Sequence, residues 1–126
     1  MNTIKMNDDA ITDLQILIRQ PSVSAKNQGL VACALVVAQI MQKAGIDTKL
    51  LYIDKHLKVE QEDIVSRPSP PLVYGEVLSK SNPNGKTILF YNHYDVQPVE
   101  PIELWDEDPF SGKVAGNFIF GRGSAD

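Results

Sequence analysis

His93 and Asp95 stand two residues apart in "LFYNHYDVQPVEP", Leu89 to Pro101, and that spacing permits a specific piece of chemistry. In an extended backbone, side chains at i and i+2 leave on the same face. A carboxylate placed there accepts the proton of one imidazole nitrogen and leaves the other as a free lone pair for a metal. The pair closes a continuous apolar run, "TILFYN", and α/β sheets usually bind ligands at the carboxyl ends of their strands. His-x-Asp alone is a weak motif, and the commoner arrangement is a strand-end histidine beside an aspartate that caps the next turn. A second aspartate, Asp126, follows "FGRGSA". Gly121 and Gly123 permit backbone geometries closed to other residues, so a carboxylate carried after them can approach an ion closely. Taken by itself, Asp126 too reads as an ordinary aspartate in a glycine turn.

The elements that must position these residues are legible from periodicity. From Asp8 to Arg19 the apolar residues Ile11, Leu14 and Ile18 recur at three and four, which predicts an amphipathic helix with Asp8 or Asp9 at its start and Pro21 beyond its end. "PSVSAKNQ" is a connecting loop. Leu30 to Ala44 is a second, strongly apolar helix, with Gly45 in the stopping position. "DTKLLYID" and "PPLVYGEVL" are strands, the second introduced by prolines. Pro68, Pro70 and Pro71 set the approach to that strand more simply than they make a polyproline ligand. "SKSNPNGK" predicts a hairpin-type return, and "TILFYN" a central strand buried on both faces. "KVAGNFIFG" reads as two short strands around a Gly-Asn turn. Two helices followed by strands in this order predict an α/β class with a mixed sheet.

Bulk properties narrow the function. The 126 residues hold at most one domain, with 43% hydrophobic and 22% charged residues, ordinary for a folded soluble chain. The net charge is −4, and no Lys or Arg lies between Lys86 and Lys113, which argues against a nucleic-acid partner. The first residues carry no apolar segment of the signal-peptide kind, and "LVACALVVAQIM" is too short to span a bilayer. The expected location is the cytoplasm, without a membrane partner. The one cysteine, Cys33, excludes an internal disulfide and reads as a small core residue.

Three ordered motifs, "HYDVQP", "LWDEDPFSG" and "FGRGSAD", together resemble those of the dinuclear zinc metallopeptidases that include carnosinase-type dipeptidases, glutamate carboxypeptidases, aminoacylases and succinyl-diaminopimelate desuccinylases. The resemblance is close from Thr87 to Asp126 and looser over the two helices, where "QPSVSAKNQG" is similar to the family's early loop. It implies that His93 is a metal ligand, that Asp95 is the catalytic-site carboxylate orienting it, and that Asp126 is the aspartate bridging two zinc ions. A shared carboxylate offsets the repulsion of two dications held about 3.5–4 Å apart. Cobalt or manganese would suit the same donors. The resemblance further implies hydrolysis of a small peptide or an acylated amino acid, with the dipeptidase branch favoured by "HYDVQP" and "DPF". The family's general-base glutamate, its later ligands and its dimerisation or lid domain have no counterpart in residues 1–126. The expectation is therefore an N-terminal portion of a metallopeptidase catalytic domain, inactive by itself. A different class stays open: a non-catalytic module that self-associates into a homo-oligomer through an unpaired strand edge.

The remaining features have plainer readings. Glu100, Glu103, Asp106, Glu107 and Asp108 form a solvated acidic loop more readily than a rim for cationic substrates. Trp105 and Phe110 pack that loop onto the body. His56 lies in a polar stretch with no partner at ligand spacing. Tyr94 faces away from His93 and packs, and Tyr91, on the face of His93, has no assigned task.

Overall fold

The computed structural model describes residues 8–52 and 69–126. Helix α1 spans Asp8–Arg19 and buries Ile18. Its two first-turn aspartates and its terminal Arg19 both complement the helix dipole. Helix α2 spans Leu30–Lys43 and buries Leu30, Cys33, Ala34 and Ala38, a stripe of mostly small residues that lets neighbouring chain approach closely. It ends in a Schellman motif: Ile46 N–H donates to the Met41 carbonyl, Gly45 N–H donates to Gln42, and Gly45 takes φ 79°. An ion pair between Lys43 and Asp13, 2.9 Å, ties the two helices.

Strand β1, Asp47–Leu51, pairs antiparallel with β2, Leu72–Glu76, in the register Asp47 to Glu76 and Leu51 to Leu72. Helix α2 lies across both strands. Gly75 makes this possible, because a Cβ there would meet Met41 Cε at 2.3 Å and Ile46 Cγ2 at 2.7 Å. A second ribbon pairs β3, Lys113–Ala115, with β4, Phe118–Phe120, around Gly116 at φ 59°. Both helices, both outer strands and this hairpin stand where periodicity placed them. His56 and Pro68 lie outside the described residues. Among the described residues no helix is long and apolar enough to cross a membrane.

The α/β class holds, but the sheet is smaller than the sequence implies. Its strand pairs are antiparallel, and the parallel component of the expected mixed sheet reduces to one bridge, Val23 with Val96. The turn in "SKSNPNGK" forms, with Gly85 N–H bonded to the Asn82 carbonyl at 3.1 Å, yet no hairpin returns from it. Residues 87–92, expected as a central strand buried on both faces, form no strand, and Leu89 and Phe90 are each 84% exposed. An apolar run becomes a central strand only when neighbours pair with its edges and cover its faces. Among the described residues, no strand pairs with it.

Candidate metal centre

The stretch that follows residue 92 is held quite differently. Val96 N–H donates to the Ser22 carbonyl at 2.8 Å, and the Ser22 hydroxyl donates to the Tyr94 carbonyl at 2.7 Å. The Cys33 thiol adds a weaker contact to the same carbonyl at 3.4 Å. Tyr94 points into the body as expected, and its hydroxyl donates to the Pro71 carbonyl at 2.6 Å. Because Tyr94 is fixed inward, His93 and Asp95 are both turned outward.

The partner segment is the loop between the helices. Val23 and Gln28 exchange two backbone bonds of 2.9 and 3.0 Å around a single 3-10 turn, Ser24–Lys26. Asn27 and Gly29 close the loop with φ of 49° and 72°. A Cβ on Gly29 would lie 1.9 Å from the Pro21 carbonyl oxygen, so the close approach of the loop's two ends requires glycine.

Asp126 reaches the site on the glycine loop after β4. Gly123 takes φ 85°, and a Cβ there would meet Val96 Cγ1 at 2.6 Å, so the loop rests on the pinned stretch only because that position is bare. Arg122 N–H bonds the Pro109 carbonyl at 2.7 Å, and its guanidinium sits 5.0 Å from the Trp105 ring centre. Trp105 in turn donates to the Val99 carbonyl at 2.8 Å, so it packs the acidic loop as expected, with Phe110 also half-buried. A shallow cavity of about 180 Å³, lined by Gln97 and the 121–126 loop, opens beside Asp126.

All three residues singled out by sequence converge. His93 Nδ1 lies 2.9 Å from the Asp95 carbonyl oxygen and 3.3 Å from its carboxylate Oδ1. His93 Nε2 lies 3.3 Å from Asp126 Oδ1. The Asp95 carbonyl, and after it the Asp126 carboxylate, favour the imidazolium and hold His93 above its ordinary pKa. The nearby Ser24 hydroxyl is the first cause that lowers the Asp95 pKa, and His93 adds to it.

This donor set suits a metal. Nδ1 faces the Asp95 carbonyl and carboxylate, which suits a proton there, and a cation between Nε2 and the Asp126 carboxylate would take the place of a proton. Zinc bonds of about 2.0–2.2 Å at a tetrahedral angle separate neighbouring donors by about 3.3–3.5 Å. The Nε2–Oδ1 separation falls in that range. Among the described residues, however, no group of three or more His, Cys, Asp or Glu side chains gathers at one point. Ser22 and Ser24 read from the sequence as plain loop residues, yet Ser22 bonds the backbone on both sides of Asp95. The signal for them is the same i, i+2 spacing as His93 and Asp95, which has meaning only once Val23 is paired with Val96.

Known proteins resemble this chain over most of its length. Residues 89–126 match Peptidase family M20/M25/M40. The chain is 34% identical over 126 residues to the Cys-Gly metallodipeptidase dug1 of Schizosaccharomyces pombe, covering 97% of this chain and 25% of that protein. It is 30% identical to a succinyl-diaminopimelate desuccinylase of Methylorubrum extorquens, covering 89% and 25%. Its fold superposes with a TM-score of 0.73 and 31% identity on the crystal structure of the M20 family metallo-carboxypeptidase Sso-CP2 from Sulfolobus solfataricus, covering 94% of this chain and 23% of that one. The chain thus spans about a quarter of the length of the curated relatives it matches. It is related to the M20 metallopeptidases and corresponds to part of their catalytic domain.

Proposed function

We propose that residues 1–126 supply one side of a dinuclear zinc site in a cytoplasmic, metal-dependent hydrolase of peptide or amide bonds, with a dipeptide as substrate. One observation carries this reading: His93 Nε2 and the carboxylate of Asp126 face each other across 3.3 Å while the Asp95 carbonyl lies against the opposite nitrogen. In this reading His93 and Asp126 would hold the metal, and Asp95 would fix the imidazole ring. Zinc supplies Lewis acidity towards the amide carbonyl and towards water. The other ligands and the general base come from outside residues 1–126, so these residues by themselves hydrolyse nothing and bind zinc weakly.

The metallodipeptidase relative supports a dipeptide substrate. The desuccinylase relative supports a second reading, an N-acyl amino acid deacylase with the same donors. The test is His93→Ala in a protein of the relatives' full length that carries these residues. Metal-dependent hydrolysis should fall at least about a thousandfold, as expected when a group that orders the reacting centre is lost. Activity retained in the variant rejects the reading. Parallel assays with Cys-Gly and with succinyl-diaminopimelate separate the two substrate classes.

A further inference from the structure

Burial does not hold Asp126. Its side chain is 89% exposed, so its place opposite His93 depends on the loop that carries it. That loop, residues 121–126, lies close on neighbouring chain through its glycines. A Cβ on Gly121 would meet Ile18 Cγ2 at 2.4 Å, and one on Gly123 would meet Val96 Cγ1 at 2.6 Å. Between these two bare positions stands a long cationic side chain, Arg122, whose guanidinium sits 5.0 Å from the centre of the Trp105 ring.

Packing alone does not account for arginine here. Arg122 Nε is buried and has no hydrogen-bond partner among the described residues, which disfavours a guanidinium against an apolar chain of the same length. Nor does a carboxylate draw it there. Among the described residues Arg122 forms no ion pair, and two acids close to Trp105 are engaged elsewhere, Glu107 with Lys113 and Asp108 with the Phe110 amide. What favours arginine is the indole face, where a flat cation gains both stacking and attraction to the ring. The ring is itself fixed, because its N–H donates to the Val99 carbonyl at 2.8 Å, just beyond the pinned stretch. Arg122 therefore ties the carrier of Asp126 to the chain that presents His93 and Asp95.

We propose that Arg122 is a positioning residue for Asp126: stacked on Trp105, its guanidinium fixes the glycine loop so that the Asp126 carboxylate faces His93. The inference extends the metal-site reading, but what it asserts is the placement of a loop, and that is decided without metal.

The test is nitrogen-15 relaxation on the metal-free chain. In wild type the amides of Gly123 and Ser124 should be as ordered as rigid backbone, with order parameters near about 0.85. Arg122→Met keeps the length of the side chain and removes the cation, and should drop both below about 0.6, while α1, α2 and the β3–β4 hairpin stay rigid. Arg122→Lys, which keeps a charge over the ring, should recover part of the order. Trp105→Leu should loosen the same two amides, and the double variant should loosen them no further, because both changes remove one contact. A zinc titration read at the His93 imidazole should show roughly tenfold weaker binding in Arg122→Met, at the low end of the loss typical when a residue behind a ligand is removed. Removing a positive charge near the site by itself favours a bound cation, so weaker binding reports a misplaced Asp126. Order unchanged in Arg122→Met, no recovery in Arg122→Lys, losses that add in the double variant, disorder spread over the hairpin, or zinc binding equal to wild type each overturn the proposal. Zinc that leaves His93 untouched in wild type would instead count against the metal-site reading, and the order of Gly123 and Ser124 would still decide the role of Arg122.

Discussion

Residues 87–92 and 93–96 are consecutive, and they could hardly be held more differently. The first stretch is apolar and exposed, with no backbone pairing among the described residues. The second is mostly polar and is bonded through Ser22, Cys33 and Pro71 to a buried anchor. The sheet-forming residues therefore do not place His93 and Asp95 in this chain. The loop between α1 and α2 does, and it does so with backbone bonds that need no particular side chains except serine and glycine. The order of the site depends on a loop that looks like mere connection.

The sharpest way to break this contrast is at Gly29. Alanine there would put its Cβ against the Pro21 carbonyl oxygen, a backbone atom that cannot swing aside, and would sit at φ 72°. The expected loss is about 2–4 kcal/mol in urea unfolding, the range of strained backbone plus a severe overlap. The Val96 amide should lose exchange protection in the same variant. A change below about 0.5 kcal/mol would mean that the loop yields, and with it the account of how the site is placed.

A smaller effect is expected at Ser22. Ser22→Ala removes the donor to the Tyr94 carbonyl in a nearly solvent-free position, a loss of about 1–2 kcal/mol. The Cys33 thiol remains as a weak substitute, which keeps the cost below that of Gly29→Ala. Amide exchange at Val96 should rise moderately while the helices stay protected. Uniform loss of protection over the whole chain would show Ser22 to be a general core residue and not an anchor for one stretch.

The two stretches also differ in how much of them the sequence reveals. That His93 and Asp95 share a face follows from local geometry alone, and the structure keeps it. The helices were legible for a similar reason: Ile11, Leu14 and Ile18 repeat at helical spacing, and Pro21 and Gly45 punctuate the ends. The short hairpin was legible from Gly116 and Asn117. Residues 87–92 were misread because a continuous apolar run reports what a segment is fit to bury, not whether neighbours are there to bury it. Asp126 arrives at His93 from 33 residues away, a distance no spacing rule spans, and only the family resemblance brought it forward. The anchoring by Ser22 was invisible because it depends on the Val23–Val96 pairing, which is not local either.

Acid should loosen one outer tie of the pinned stretch without releasing it. Lys26, in the loop, pairs with Glu100, just beyond the site, and the Lys26 ammonium holds the Glu100 carboxyl below its ordinary value. A carboxylate with a depressed folded pKa contributes stability above its unfolded pKa and loses that contribution as pH falls through the folded value. Glu100→Gln should therefore lower the unfolding midpoint slightly near neutrality, and the difference from wild type should shrink and then vanish as pH falls beneath the ordinary glutamate range. A difference that persists in acid would assign the effect to packing and not to the ion pair.

The smallest effect is expected at Phe90, and its size tests the contrast from the other side. A phenylalanine in a central strand costs about 3–5 kcal/mol when truncated, because its contacts and its apolar burial are lost together. At 84% exposure Phe90 has little of either to lose, and Phe90→Ser should change the unfolding free energy of the dilute chain by no more than about 0.5 kcal/mol. Raising the protein concentration sharpens the measurement. An exposed edge with an apolar face invites pairing with another copy, and mass action makes stability rise with concentration when copies associate. A cost above about 2 kcal/mol that grows with concentration would show that a second copy covers residues 87–92 in solution. The contrast would then belong to the single chain, and the self-associating reading would gain its support. A cost that stays small at every concentration leaves the apolar run unpartnered and the loop of residues 21–29 as the element that places the site.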